Sequence, residues 1–366
     1  MHRAPPDPAD LDVFLTPEHV SLAREITASL AADDARLHQP KNVAAALAER
    51  KLFRLLVPPV SVRSLCLARE CLGYVSPLAD SVFAVQGLGS HPLVLSGRTE
   101  HMADVAEGKR VGAFALTEPE AGSDVASMRT VARKQDGGWV IDGEKVFISN
   151  AGIATHYIVF ANADPSLGKK GISAFFVPHD SPGMTVEPIP MSLDHPLGRV
   201  VLRGCKVPAD ALLGDVGKGM RLALGTLDVF RTSVGAAACG MARRALDESL
   251  AHVKAREQFG KKLAEFQLTQ AALADMATEL AASRLLVYKA AHAKDRGEKA
   301  TTEVAMAKMY ATEAAQRIID RAVQLHGGLG VTTSIVEQLY REIRPLRIYE
   351  GTTEIQKLIL GSALVG

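Results

Sequence analysis

Apolar and polar positions along the chain fall into three successive regimes. Up to about Val111 the apolar residues recur at helical spacing in short bursts broken by proline-containing turns. Thr16-Pro17-Glu18 reads as a cap followed by proline at the first helical position, with Val20, Leu22 and Ile26 behind it. A second helix fits Asn42 to Lys51, and a third starts near Ser64. From Arg129 the period shortens. Thr130 to Lys134, Trp139 to Ile141, Lys145 to Ser149, Tyr157 to Ala161, Ile172 to Val177, Thr185 to Ile189 and Val200 to Arg203 are short β-type runs. Asp136-Gly137 and Asp142-Gly143, between the first three, are hairpin signals. Seven or so such runs predict a small barrel or sandwich. From Met220 the helical period returns. Leu273, Met276, Leu280 and Val287 make one stripe, and Val304, Ala307, Ala311, Ala315, Ile318 and Ala322 make another. Gly297, and then Gly327, Gly328 and Gly330, break the pattern. Alanine-rich helices with one apolar stripe are the units of an antiparallel bundle.

The expected fold is therefore α+β and mainly α. It has an N-terminal α-helical domain over residues 1–112, a middle β-barrel or sandwich domain over 113–215 and a C-terminal four-helix bundle over 216–366. A chain of 366 residues fits this division, because one hydrophobic core rarely organises so much polypeptide.

Charge narrows the function classes. With 42 basic and 41 acidic side chains the net charge is +1, and the two signs are interleaved, so no nucleic-acid partner is expected. The longest uncharged stretches, Ser81 to Gly97 and Val146 to Ala163, carry Gly, Ser, Asn or Gln and a His, so no membrane-spanning helix is expected. Met1-His2-Arg3 followed by Pro5, Pro6, Asp7 and Pro8 lacks the apolar segment of a secretory signal. Cys66, Cys71, Cys205 and Cys239 show no metal-site spacing and read as buried, reduced thiols of a cytoplasmic protein.

Three stretches carry candidate chemistry. Thr117 to Asp124 is a polar, glycine-containing loop where two regimes meet, suited to a ligand, although on the residues alone a plain connecting turn is the default. Gln324 to Gly330 offers backbone amides to a phosphate, but it follows a helix, so a helix C-cap is the default, with His326 capping or packing. Glu350 stands between an apolar run and a Gly-Thr-Thr turn that opens a helix. Held in apolar surroundings, its carboxylate would become a better base. On the residues alone the default is a helix N-terminal acid favoured by the macrodipole.

The order and spacing of these stretches resemble the acyl-CoA dehydrogenase family from about Leu15 to Leu360. The resemblance rests on Ala115-Leu116-Thr117-Glu118-Pro119 with Ala121-Gly122-Ser123-Asp124, and on Asp142-Gly143-Glu144-Lys145-Val146-Phe147-Ile148-Ser149-Asn150. Arg256-Glu257-Gln258-Phe259-Gly260 with Phe266-Gln267, Gln324 to Gly330, and Ile348-Tyr349-Glu350-Gly351-Thr352 complete it. It implies one FAD per subunit, an acyl-CoA substrate, an electron-transfer flavoprotein as acceptor and a homotetramer built as a dimer of dimers.

Carried onto this chain, the family's pattern places Phe114, Leu116 and Thr117 along the flavin's pyrimidine side. Phe147 and Ser149 are implied against the isoalloxazine. Arg256, Phe259 and Gln267 are implied at a neighbouring subunit's FAD, with Gln324, Gly328, Thr352 and Glu354 completing that site. Ser123 is also implied at the cofactor and, with Asp228, Arg231 and Gly351, along the acyl-CoA channel. Glu350 matches the base that takes the α-proton while the β-hydride goes to flavin N5. An alternative base position on an earlier helix is occupied by Phe230. Two departures stand out: Val60-Ser61-Val62-Arg63 replaces an acidic, glycine-rich loop, and Asp194 to Arg199 replaces a Ser/Thr-containing one. A flavin monooxygenase or oxidase on the same fold and a non-catalytic acyl-CoA-binding protein are the alternatives, and the intact Tyr349-Glu350-Gly351-Thr352 speaks for the dehydrogenase.

Overall fold

The elements follow from local sequence, and a computed structural model describes them for residues 8–31 and 34–366. The helices are α1 (Pro17–Leu30), α2 (Val43–Glu49), α3 (Val62–Val75), α4 (Pro77–Leu95), α5 (Met102–Ala106), α6 (Gly219–Ala255), α7 (Gln267–Asp295), α8 (Thr301–His326), α9 (Ile335–Glu342) and α10 (Thr353–Val365). The strands are β1 (Gly112–Ala115), β2 (Val131–Gln135), β3 (Gly138–Ser149), β4 (His156–Asn162), β5 (Ile172–Pro178), β6 (Met184–Pro188), β7 (Leu197–Pro208), β8 (Leu212–Leu213), β9 (Glu257–Gln258) and β10 (Lys261–Lys262). Thr16 stands at the N-cap of α1 with its hydroxyl 2.7 Å from His19 Nδ1, and Pro17 takes the first helical turn as expected. The chain divides into two units, one of Met1–Asp34, Ser61–Asp80 and Arg231–Gly366, the other of Ala35–Val60 and Ser81–Phe230.

The second unit is built on one eight-stranded sheet in the order β6-β7-β3-β2-β4-β5-β8, with β1 added in parallel beside β4. The path does not close into a barrel. Tyr157, Val159 and Ala161 point into one core with Trp139 and Phe175, while Ile158 and Phe160 point into a second with Leu93 and Leu222. Burial on both faces explains why β4 reads as a continuous apolar run rather than an alternating one.

Two β-expectations change. Asp136-Gly137 does turn β2 into β3, with φ of 47° and 79° as a two-residue hairpin requires. Asp142-Gly143 does not turn. The chain runs straight through it, and Asp142 Oδ1 accepts the Gly204 N–H at 2.6 Å across the sheet, with a register shift between Ile141 and Gly143. A side chain at Gly143 would meet Thr130 within 2.4 Å, so this glycine marks a bulge and a close approach. Strand β1, four residues ending at Ala115, was not expected.

The first unit is helical apart from the short β9–β10 hairpin. Asp295, at the end of α7, accepts from the Val62 N–H (2.6 Å), the Ser61 hydroxyl and the Arg63 guanidinium, which caps α3 with a carboxylate from the bundle. Helices α3 and α6 meet at glycine: a Cβ on Gly73 would lie 2.5 Å from the Ala237 carbonyl, and one on Gly240 would lie 2.0 Å from that of Glu70. The stripe predicted on α8, Val304 to Ala322, is buried at every named position. All four cysteines are buried thiols. Among the described residues no helix is long and apolar enough to cross a membrane.

Candidate active site

The first unit holds the candidate base in a strained loop. Thr352 caps α10 through its hydroxyl, which accepts the Ile355 N–H at 3.3 Å, so the two residues before it stand outside the helix. Glu350 has φ +52° and Gly351 φ +91°. Such a conformation costs a non-glycine residue about 1–3 kcal/mol and persists only where surrounding contacts over-determine it. Three side chains do so. Arg231 Nε donates to the Glu350 carbonyl at 2.9 Å, and the Gly351 carbonyl accepts from Lys308 Nζ at 2.7 Å and Gln356 Nε2 at 3.0 Å. Charged hydrogen bonds contribute about 1.5–3 kcal/mol each, so the clamp outweighs the strain.

The carboxylate itself is held differently. Although the residue as a whole is only half-buried, Glu350 Oε2 is shielded from solvent and has no hydrogen-bond partner among the described residues. Burial raises its pKa above the ordinary carboxylate value, and the positive charges of Arg69, Arg231 and Lys308 oppose that rise. Arg69 is itself fully buried and gripped by Asp80 through two 2.8 Å contacts, with Ser233 on its third nitrogen. The Glu350 N–H also has no acceptor within the described residues. The loop thus presents a carboxylate with one shielded, unpartnered oxygen and a free backbone donor from one residue.

The second unit gathers the other candidates. Phe114, Leu116 and Thr117 run from the end of β1 into a loop laced to β3: the Thr117 carbonyl accepts the Val146 N–H at 2.9 Å, and Lys145 Nζ donates to the Leu116 carbonyl at 3.2 Å and to Glu118 Oε1 at 2.7 Å. Both partners of that ion pair are buried. Burial lowers the Lys145 pKa to about 8 against the pull of Glu118. For Glu118, burial is overcome by Lys145 and by the Arg129 N–H, leaving its pKa below the ordinary value.

Two residues past Lys145 the register slips again, between Lys145 and Ile148, and Phe147 occupies the bulge with φ +57° and 64% of its surface exposed. An exposed aromatic ring on the strand that is laced to the Thr117 loop suits stacking on a planar isoalloxazine, and Phe114, Thr117 and Ser149 are each half-buried. Just past Ser149, a hollow of about 600 Å³ opens between Ala151, Gly152 and the Asp194 to Leu197 loop. Ser123 lies apart, in an exposed turn, and Asp228 is half-buried on α6.

The remaining candidates lie on the surface of the first unit. Arg256 and Gln267 flank the β9–β10 hairpin, whose tip, Phe259-Gly260, has φ of 50° and 76° and leaves Phe259 94% exposed. Gln324 and Gly328 sit at the end of α8, where Gly327 at φ +58° forms the expected C-cap and His326 Nδ1 meets the Ala322 carbonyl. His326 stacks on His252 at 4.4 Å, which brings the end of α8 beside the end of α6, four residues before Arg256. Thr352 and the exposed Glu354 begin α10. Sequence reasoning passed over Lys308, Arg69, Lys145 and the buried role of Glu118. For Lys308 a signal existed: it interrupts the apolar stripe between Val304 and Ala311.

Two family models match the chain: acyl-CoA dehydrogenase, middle domain, over residues 113–205, and acyl-CoA dehydrogenase, C-terminal domain, over residues 217–365. The chain belongs to the acyl-CoA dehydrogenase family. It is 38% identical over 318 residues to an acyl-CoA dehydrogenase of Bacillus subtilis, covering 83% of each chain. It is 40% identical over 290 residues to the CarC subunit of a caffeyl-CoA reductase–Etf complex of Acetobacterium woodii, covering 76% of each. Among solved structures, butyryl-CoA dehydrogenase from Megasphaera elsdenii superposes with a TM-score of 0.89 at 32% identity, over 96% of this chain and 99% of that one. A glutaryl-CoA dehydrogenase from Mycobacterium smegmatis in complex with FADH2 superposes with a TM-score of 0.91 at 27% identity, over 98% and 97%. The family is FAD-dependent, and this member is an oxidoreductase of the acyl-CoA dehydrogenase type.

Proposed function

We propose that this acyl-CoA dehydrogenase converts a saturated acyl-CoA thioester to its trans-2-enoyl thioester with Glu350 as the base. The observation that carries the reading is the unsolvated, unpartnered Oε2 of Glu350 beside its own free N–H. The α-proton of a thioester is too weakly acidic for a carboxylate to remove unless the developing enolate oxygen is stabilised. One residue can meet both needs, the carboxylate taking the proton and the N–H donating to the thioester oxygen. The C–H electron pair left at the α-carbon becomes the new double bond as the β-hydrogen departs with its own pair. FAD, when bound, supplies the acceptor for that β-hydride. Phe114, Leu116, Thr117, Phe147 and Ser149 are the residues we assign to holding its ring, and Ser123, Asp228, Arg231 and Gly351 those we assign to the thioester.

Electrons leaving the enzyme are assigned to an electron-transfer flavoprotein, supported by the likeness to a subunit of an Etf complex. A homotetramer, a dimer of dimers, is assigned on the exposed Phe259 hairpin: a nearly bare aromatic tip beside Arg256 and Gln267 is suited to a neighbouring subunit and its nucleotide rather than to water. The test is Glu350→Gln, which keeps the shape and the N–H but cannot accept the proton. Anaerobic flavin reduction by butyryl-CoA is expected to fall by about 10²–10⁴, or roughly 2.7 to 5.5 kcal/mol of barrier, while dithionite still bleaches the flavin. Reduction at the wild-type rate would place the base elsewhere or the chemistry outside α,β-dehydrogenation.

A further inference from the structure

A buried ammonium normally faces a carboxylate, because its charge is expensive to take out of water. Lys308 does not. Its side chain is fully buried on α8, its hydrogen bond goes to the Gly351 carbonyl at 2.7 Å, and among the described residues no carboxylate lies within ion-pair distance. An apolar side chain would suit the stripe between Val304 and Ala311 better. The negative charge that acts most strongly on this ammonium is Glu350, with Glu313 and Glu354 adding to it and Arg231 opposing it.

We propose that Lys308 is a positioning residue for the base: its ammonium fixes the peptide after Glu350 and places a positive charge beside the carboxylate without bonding to it. The distinction matters chemically. A cation hydrogen-bonded to the carboxylate would occupy the lone pair that has to receive the proton. A cation anchored on a neighbouring carbonyl favours the ionised form and leaves Oε2 open. Arg69 is held away in the same manner by Asp80, and Arg231 by the Glu350 carbonyl. The groups facing Glu350 are thus Arg69 from α3, Asp80 from α4, Arg231 from α6 and Lys308 from α8, three cations against one anion that is already paired. Burial lowers the Lys308 pKa to about 8, so the ammonium is present through neutral pH.

This inference rests on Glu350 being the base, and the experiment separates the two. Lys308→Gln keeps a donor for the Gly351 carbonyl and removes the charge, whereas Lys308→Met removes both. The readouts are anaerobic flavin reduction by butyryl-CoA from about pH 5.5 to 9 and the dissociation constant of crotonyl-CoA. Loss of a nearby cation is expected to move the acidic limb of the reduction rate upward by about half a unit or more in both variants. Crotonyl-CoA affinity is expected to stay within about threefold in Lys308→Gln and to weaken by more in Lys308→Met, as a lost hydrogen bond implies. A merely structural lysine would lower the thermal midpoint and leave the limb in place, so limbs unmoved in both variants overturn the proposal. Glu350→Gln, run alongside, decides the prior question. If it is inactive while the Lys308 limbs stay put, only this inference falls; if it reduces its flavin normally, both fall.

Discussion

The buried pair Glu118–Lys145 offers the sharpest test of how the second unit holds its ligand loop. Lys145→Met strips the ammonium from Glu118 Oε1 and from the Leu116 carbonyl, leaving one charge and one carbonyl buried without that partner. Removing one member of a buried pair costs about 3–5 kcal/mol. Glu118 keeps donors from the Arg129 N–H, the Thr130 N–H and the Thr130 hydroxyl, which holds the loss near the lower end, about 3 kcal/mol. The double variant Glu118→Gln/Lys145→Met has no unpaired charge and is expected within about 1.5 kcal/mol of wild type. Trp139, the chain's one tryptophan, lies on the same strand packed edge-on against Phe175 at 5.3 Å, so its fluorescence reports urea unfolding of this unit directly. FAD content of the purified protein should follow the same order, lowest in Lys145→Met. The pH dependence has a fixed sign. Because the folded Glu118 carboxyl titrates below its ordinary value of 4.5, its stabilisation is complete above that pH and is lost as pH falls through the folded value. Glu118→Gln should flatten that acid decline. A Lys145→Met protein within about 1 kcal/mol of wild type, or a double variant no better than the single one, would refute this account of the pair.

Two further outcomes follow from the surface and the core. Arg256 is exposed with no side-chain partner among the described residues, so Arg256→Ala is expected to release FAD and loosen the oligomer together; sedimentation as a monomer with full flavin occupancy in the wild type contradicts that. Phe230 is fully buried, its ring set edge-on to His91 at 5.7 Å and pressed on Gly87, where a Cβ would fall 2.1 Å from its Cε1. It fills the space that a smaller residue would leave between α4 and α6. Short, branched or cyclic acyl groups are therefore expected to be preferred, each surplus methylene being worth about 1 kcal/mol. Phe230→Ala should shift kcat/KM toward longer chains at a stability cost of about 3–5 kcal/mol, and a wild type that prefers palmitoyl to butyryl thioester defeats the argument.

Periodicity located most helices and the β-region, and it failed where two physical effects share one residue pattern. Asp-Gly serves both a hairpin and a bulge, since each needs a residue free of Cβ hindrance. Only the partner strand separates them: Asp136-Gly137 has nothing opposite, while Asp142 is bonded to Gly204 on β7. Strand β1 escaped because four residues are too few to show a period, and its place depends on non-local contacts, Gln86 Oε1 accepting the Gly112 N–H at 2.7 Å and β4 supplying the ladder. The close approach of α3 and α6 was equally invisible, because Gly73 and Gly240 stand 167 positions apart and neither lies in a turn.

The Glu350 loop posed a harder ambiguity, since a glutamate before Gly-Thr-Thr reads by default as a helix N-terminal acid and only with the family resemblance as a base. The start of the helix bears on the choice. Thr352 is the cap and Thr353 the first helical residue, so the acid that serves the α10 dipole is Glu354, in the first turn. It is exposed, and hydrogen bonds from its own backbone N–H and from Thr352 lower its pKa. Glu350 lies outside the helix, turned back by its left-handed backbone, with Oε2 shielded and its pKa raised by burial. Two carboxylates four residues apart are therefore driven in opposite directions by their surroundings. The one expensive to ionise is the one whose loop is clamped by Arg231, Lys308 and Gln356, a combination that supports the proposed base over a plain helix acid.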